Sequence, residues 1–171
     1  MVSIRKLGVA DAPLLAAIGS KSLVESHGHS AAPSVMQAYC DEKFTEAALV
    51  EELSDPQHIF HGIFHNGIPA GYSKIIYHQP LPHIEQKAIT KMERLYLLKE
   101  YYNLKLGKQL FDFNLGLSKA QGEAGMWLYV WKENERALRF YAREGFRVIG
   151  DGWFRLTADH ANPNWQMLLL Y

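Results

Sequence analysis

The apolar positions of this chain alternate between a period of two and a period near 3.6, with no stretch that marks a boundary. Val2 to Leu7 reads as a short strand, and Asp11-Ala12-Pro13 supplies an N-cap and an early-turn proline ahead of Leu14, Leu15 and Ile18, which predicts a first helix. Ser26 to Ser30 is loop-like. A second helix is expected from near Pro33, carrying Val35, Met36 and Tyr39, and a third from Thr45-Glu46 through Leu53, stopping before Asp55-Pro56.

From His58 the period becomes two, with Phe60, Gly62 and Phe64 on one face, and Asn66-Gly67 is a strong hairpin turn before Ile68 to Tyr77. Met92 to Leu98 predicts a third strand of that meander. Leu106, Leu110, Phe113 and Leu117 then recur at i, i+4, i+7 and i+11, one apolar stripe of a helix. Gly122 to Gly125 ends it, and the apolar run Met126 to Trp131 predicts a strand buried on both faces. Asn134 can cap a helix whose Ala137, Phe140 and Tyr141 share a face before Gly145, and Phe146 to Gly150 and Trp165 to Tyr171 complete the strands. The order predicts a mixed α/β fold, a central twisted sheet flanked by helices.

Composition narrows the function classes. Lys plus Arg and Asp plus Glu are 18 each in 171 residues, so no net field favours nucleic acid or an anionic membrane surface. With 48% apolar residues and 21% charged, one ordinary core is affordable, and a single domain over residues 1–171 is expected. Cys40, the only cysteine, cannot form an intramolecular disulfide and reads as a small buried residue, and Asp11 interrupts any signal-like apolar segment. The apolar runs are five or six residues long, against about 20 for a membrane span. The expected setting is cytoplasmic, with no membrane and no nucleic-acid partner.

Metal chemistry finds little support. On one strand His61 and His65 stand about 13 Å apart while His58 points to the other face, and His27-x-His29 has no Cys or carboxylate at ligand spacing. No metal is expected. The unit from Met92 to Leu117 is more suggestive, because a glycine-ended loop at a helix start presents backbone N–H groups to an anion, with Lys105 and Lys108 adding charge. An ordinary strand-to-helix connection with two solvated lysines has the same spacing, and neither GxxxxGK[ST] nor GxGxxG occurs there.

The segment Trp131 to Phe146 carries the pattern N-x-x-A-x-x-F-Y-x-x-x-G-F at Asn134, Ala137, Phe140, Tyr141, Gly145 and Phe146. In this it resembles the GNAT N-acetyltransferases. Glu93 to Tyr101 looks like that family's central strand, and the wider phrase ending Phe154-Arg155-Leu156 is similar to its spermidine/spermine-type branch. The resemblance covers roughly residues 90–170 well and the N-terminal half by element order. It implies the GNAT acyl-CoA N-acyltransferase fold, with residues 1–56 as N-terminal strand and acceptor-side helices and 57–171 as sheet and acetyl-CoA core.

The same resemblance implies transfer of an acetyl group from acetyl-CoA, as co-substrate, to a primary amine, a polyamine or other small amine, by direct attack. Tyr141 matches the general acid, Glu93 a carboxylate that some relatives use as base through water, and backbone N–H groups at Leu95, Tyr96 and Leu97 would polarise the carbonyl. Coenzyme binding falls to Tyr102, Asn103, Leu104, Lys105, Leu106, Gly107 and Lys108, with Asn134 holding the pantetheine arm or the helix start and Tyr141 beside the thioester sulfur. By spacing alone Tyr141 is more often a core residue than a catalytic one, and Glu93 is as readily a solvated charge.

The loop departs from the family pattern Q/R-x-x-G-x-G/A, of which only Gly107 is met, and Lys105 stands where a glycine is usual. That departure keeps open a non-catalytic acyl-CoA-binding sensing or interaction module of the same fold, and a more distant alternative is an unrelated α/β binding protein. The acidic residues Glu25, Asp41, Glu42, Glu46, Glu51, Glu52 and Asp55 suit either a cationic acceptor or a solvated helical face. A homodimer is a further possibility, with the apolar strand Trp165 to Tyr171 as its contact.

Overall fold

A computed structural model describes residues 1–171. Its elements are β1 (Val2–Lys6), α1 (Ala12–His27), α2 (Pro33–Lys43), α3 (Glu46–Ser54), β2 (His58–His65), β3 (Ile68–Ile76), β4 (Ile89–Leu97), α4 (Leu106–Ala120), β5 (Gly125–Trp131), α5 (Glu135–Arg143), β6 (Arg147–Thr157) and β7 (His160–Leu170). Short 3-10 turns cover Val9–Asp11, Gly28–Ser30 and Lys99–Leu104. The strands form one seven-stranded sheet in the order β1-β2-β3-β4-β5-β7-β6. β1 runs antiparallel to β2, β4 parallel to β5, and β7 antiparallel to both β5 and β6. The expected mixed α/β architecture is therefore present. No helix is long and apolar enough to cross a membrane.

Local chemistry explains most boundaries. Thr45 caps α3 by accepting the Ala48 N–H at 3.1 Å, and Asn134 caps α5 by accepting that of Ala137 at 3.2 Å. Asn66 and Gly67 both take positive φ (52° and 79°), the backbone that a two-residue hairpin needs to match strand twist. Asp11 occupies the N-cap position of α1 but spends its carboxylate elsewhere, on the Gly8 N–H at 2.9 Å and the Arg5 guanidinium at 2.8 Å.

Two compact units arise from the folding of this chain: Met1–Ile75 with Arg94–Asn114, and Ile76–Glu93 with Leu115–Tyr171. In the first, Ile63, Ala70, Leu106 and Leu110 form a buried cluster onto which Val2, Ile4, Leu95, Leu97 and Tyr101 pack. In the second, Leu81, Ile89, Trp127 and Leu168 do the same with Ile84 and Ile149. Glu123 organises polar groups there, accepting from the His78 N–H at 3.0 Å and the Thr90 hydroxyl at 3.2 Å while pairing with the His78 ring at 2.8 Å.

Four expectations need correction. The stripe of α4 is rotated: Leu106, Leu110 and Phe111 are buried, but Phe113 is 37% exposed and Leu117 half-buried, while Asn114 and Ser118 are fully buried. The Ser118 hydroxyl and the Asn114 amide nitrogen find partners there, while the Asn114 side-chain oxygen is buried without one. Asn114 donates to Ser73 Oγ and Leu110 O, both at 2.8 Å, and Ser118 meets the hydroxyls of Thr90 at 2.7 Å and Tyr171 at 2.8 Å.

β4 starts at Ile89 rather than Met92, and β6 and β7 are a long hairpin of 11 residues each, where the sequence suggests short strands. Pro163 and the polar residues Asn162, Asn164 and Gln166 disguised β7. They are buried in it, with Gln166 donating to the Tyr129 hydroxyl at 3.1 Å. His27 is likewise the last residue of α1 rather than part of a loop.

His27 is buried, its Nδ1 2.6 Å from Ser26 Oγ and its ring edge-on to Tyr96. Burial, with a smaller contribution from His29, pushes its pKa down to about 4. The unfolded chain, near the ordinary value of about 6.5, binds more protons between those pH values, so this contribution is complete above the unfolded pKa and is lost as pH falls towards the folded one. The expected cost is about 3 kcal/mol over that window. Urea denaturation of wild type and His27→Asn, compared from about pH 7.5 to pH 4.5, should show the variant losing roughly one proton's worth of slope. Equal slopes would place the acid sensitivity elsewhere.

Candidate active site

In the first unit the second half of β4 is held from two sides. Arg94 makes a bidentate pair with Glu52 of α3, both N···O distances 3.1 Å, and Lys74 of β3 reaches the same carboxylate at 2.6 Å. Burial raises the Glu52 pKa, but Arg94 and Lys74 outweigh it and hold the group below the usual carboxylate range. Next to Arg94, Leu95 and Leu97 pack into the cluster of Leu106 and Leu110, and Tyr96 lies 6.0 Å from the ring of Tyr72. Gly71 lets β4 approach: a Cβ there would collide with the carbonyl oxygen of Tyr96.

β4 then leads into the turn Lys99–Leu104, whose Tyr101 N–H donates to Leu98 O at 2.9 Å. Tyr102 is half-buried, and Asn103, Leu104 and Lys105 are exposed. Lys105 adopts the left-handed conformation, φ 58° and ψ 20°, and α4 begins at the next residue. The helical bond from Gln109 N to Lys105 O is 3.2 Å long, so the amides of Leu106, Gly107 and Lys108 lie in the first turn, ahead of it, where a helix offers donors to an anion. Gly107 adjoins Leu97, a Cβ at that position standing 3.5 Å from the leucine side chain. The structure thus brings β4's end and the helix start together. Lys108 turns to Asp112 at 2.7 Å, leaving Lys105 as the cation of the bend.

Lys105 thus stands in a backbone conformation that favours glycine. Glycine is the residue for which this conformation costs least, and lysine adopts it here at a cost of about 1–2 kcal/mol. The amide-rich helix start with an adjacent cation fits a pyrophosphate.

Beside β4 the same unit contains a cavity of about 400 Å³ lined by residues of α1, α2 and the α3 cap, among them Lys21, Glu25, Gln37, Cys40 and Asp41. Glu25 links it to the end of β4 by accepting the Lys99 N–H at 2.6 Å. Cys40 is buried as expected, and burial raises its thiol pKa. Tyr72 is fully buried, its hydroxyl without a hydrogen-bond partner and its pKa pushed far up by burial.

Sequence reasoning missed Tyr72, His27 and the Glu52–Arg94–Lys74 group. For the last, the available signal was Lys74 within the mostly apolar β3.

In the second unit, Glu93 ends its part of β4 and pairs with Lys91 at 3.8 Å, the carboxylate side chain 31% exposed. The ladder between β4 and β5 joins Ile89, Thr90 and Lys91 to Gly125, Met126 and Trp127. Tyr141 is a buried residue of α5, edge-on to Phe140 at 5.3 Å and Phe146 at 5.4 Å. Asn134 has its Oδ1 on the helix start.

A family model described as "Acetyltransferase (GNAT) family" matches residues 24–146. The chain belongs to the GNAT family. It is an acetyltransferase, with acetyl-CoA as its co-substrate, as the motif around Asn134 and Tyr141 implied. An uncharacterized N-acetyltransferase of Lactobacillus delbrueckii subsp. lactis is 28% identical over 158 residues, 92% of this chain and 91% of that protein. A spermidine N(1)-acetyltransferase of Thermoplasma acidophilum is 27% identical over 151 residues, 86% and 89% of the two chains. Among solved structures, the PaiA N-acetyltransferase of Thermoplasma acidophilum in complex with coenzyme A superposes with a TM-score of 0.80 at 23% identity, covering 100% of this chain and 99% of that one. That likeness is one of fold.

Strain and charge at Lys105 are separable by substitution. Lys105→Gly should raise stability by about 1 kcal/mol by relieving the left-handed backbone, with coenzyme A affinity nearly unchanged. Lys105→Glu should weaken coenzyme A by about 1–3 kcal/mol, the scale of one charge-assisted hydrogen bond. Calorimetric titration gives both affinities, and an unaltered affinity in Lys105→Glu would remove this side chain from the coenzyme site.

Proposed function

We propose that this GNAT enzyme acetylates a primary amine, a polyamine or another small amine, by direct attack of the amine nitrogen on the thioester carbonyl. The observation that carries the reading is the cavity beside β4. It presents the carboxylates Glu25 and Asp41, its volume of about 400 Å³ is in the range of small-ligand sites, and Glu25 is bonded to the residue that follows β4 and Leu98. Similarity to a spermidine acetyltransferase supports a cationic acceptor.

Residues are assigned roles as follows. The N–H groups of Leu95, Tyr96 and Leu97 polarise the carbonyl. The amides of Leu106, Gly107 and Lys108, with Tyr102, Asn103, Leu104 and the Lys105 ammonium, receive the pyrophosphate, and Asn134 fixes the start of the helix that carries Tyr141. As the C–N bond forms and the C–S bond breaks, the departing thiolate takes the Tyr141 phenol proton, and the attacking nitrogen gives up its own proton through water to Glu93. Residues 1–171 act as one domain, with 1–56 on the acceptor side and 57–171 carrying the coenzyme. The lone Cys40 supports a cytoplasmic setting.

Thiol release measured with a panel of di- and polyamines against neutral alcohols tests the acceptor class, and turnover confined to uncharged acceptors would overturn it. Tyr141→Phe keeps the ring packed between Phe140 and Phe146 while removing the hydroxyl, so folding and coenzyme affinity should hold while turnover falls about 10²-fold or more. Proportional loss of affinity and rate would make Tyr141 a binding residue. Glu93→Gln should depress turnover most near neutral pH and recover as the amine deprotonates unaided. A deficit constant from about pH 7 to pH 10 would give Glu93 a structural role.

A further inference from the structure

β7, whose apolar end was the expected dimer contact, lies between β5 and β6 and has both edges paired. The sheet ends in β1, of 5 residues, and in β6, the longer open edge. Its 11 residues end the sheet, and Trp153 is 72% exposed on it.

The direction of β6's free backbone groups follows from Pro163. That residue stands opposite Trp153 and has no N–H, and its carbonyl accepts the Lys132 N–H at 2.9 Å on the side away from β6. Trp153 and Pro163 are therefore a pair that exchanges no ladder bonds, so the N–H and C=O of Trp153 point out to the open edge. The register is regular from Gly150 to Arg155, so Asp151 and Arg155 also turn theirs outward. All three side chains share the exposed face, while Gly152 and Phe154 are half-buried on the other and Leu156 is buried.

We infer that β6 pairs antiparallel with β6 of a second copy of this chain, about a two-fold axis at Trp153. The charge pattern suits a second copy and favours this register, which sets opposite charges face to face. With the axis at Trp153, Asp151 of each copy stands opposite Arg155 of the other, and the two tryptophans meet across the axis. An axis at Asp151 sets Asp151 against itself and Arg147 against Arg155, and an axis at Arg155 sets that arginine against itself, both like-charge arrangements that cross-strand geometry penalises. The tryptophan-centred register lets each of the three residues exchange both backbone hydrogen bonds with its partner, removing the exposed edge that a sheet otherwise leaves open. Asp151 already meets Lys132 at 3.3 Å and Arg155 donates to Ala158 O at 3.0 Å, and a carboxylate and a guanidinium each keep capacity for a second partner.

Sedimentation velocity over a concentration series, with the full chain, tests this. Wild type should approach twice the 19.5 kDa of one chain. Asp151→Arg and Arg155→Asp should each shift it to the monomer, and mixing the two should restore a dimer, because each copy then supplies the charge that the other lacks. The double variant Asp151→Arg/Arg155→Asp should dimerise alone. Trp153→Pro, which removes an outward N–H that β7 does not use, should be monomeric with the circular dichroism spectrum of wild type. A wild type that stays at one-chain mass overturns the proposal, whatever else β6 binds, and so does a dimer that survives both Trp153→Pro and the double variant's parents.

Discussion

The carboxylate of Glu52 is the contact on which the first unit's chemistry rests. It accepts two bonds from Arg94 and one from Lys74, and so ties α3, β3 and β4 at a single half-buried point. Moving these charges out of water is costly, and the arrangement is tolerable because the acceptor is saturated and both cations lie against aromatic rings, Lys74 over Phe60 and Arg94 over Phe44. Removing the carboxylate alone would strand two buried cations, a loss of about 3–5 kcal/mol. The consequence is positional. Arg94 directly precedes Leu95, Tyr96 and Leu97, so the strand segment assigned to polarise the acyl carbonyl is anchored by an ion pair rather than by apolar packing alone.

The helix start downstream follows another logic. Lys105 accepts a backbone conformation that suits glycine, and in return the bend carries a positive charge where backbone amides already concentrate partial positive charge. A glycine at that point offers closer approach, and a lysine offers a longer-range attraction with some loss of stability.

Much of the fold was legible because its signals are local. Thr45, Asn134 and Asn66-Gly67 act within three residues of themselves, and each does what its chemistry predicts. Where polar groups are satisfied from far away, the pattern misleads. Asn114 and Ser118 occupy the buried face of α4 because Ser73 and Thr90 wait there, 41 and 28 residues distant in sequence. Pro163 and its polar neighbours read as a loop and are strand, since β7 can spend the one missing N–H at a pair that needs none. Glu52 looked like its solvated neighbours Glu51 and Asp55, and only the fold brings Arg94 to it from 42 positions away. The family pattern around Tyr141 was legible through resemblance, whereas the cavity with Glu25 and Asp41 depends on the packing of helices that no spacing rule describes.

Charge balance explains why the site must work at short range. Eighteen acidic and eighteen basic residues leave no net field to steer either an anionic coenzyme or a cationic amine. Over the roughly 8 Å Debye length of physiological salt, attraction comes from the groups immediately at hand. The chain supplies them locally: an ammonium and helix amides at Lys105 to Lys108, and two carboxylates on the cavity that Glu25 joins to Lys99. A uniformly basic or acidic surface would have attracted one co-substrate and repelled the other. On the proposed reading, separate small groups of charge would let one neutral protein hold both, their strength depending on backbone geometry at the helix start and at the end of β4.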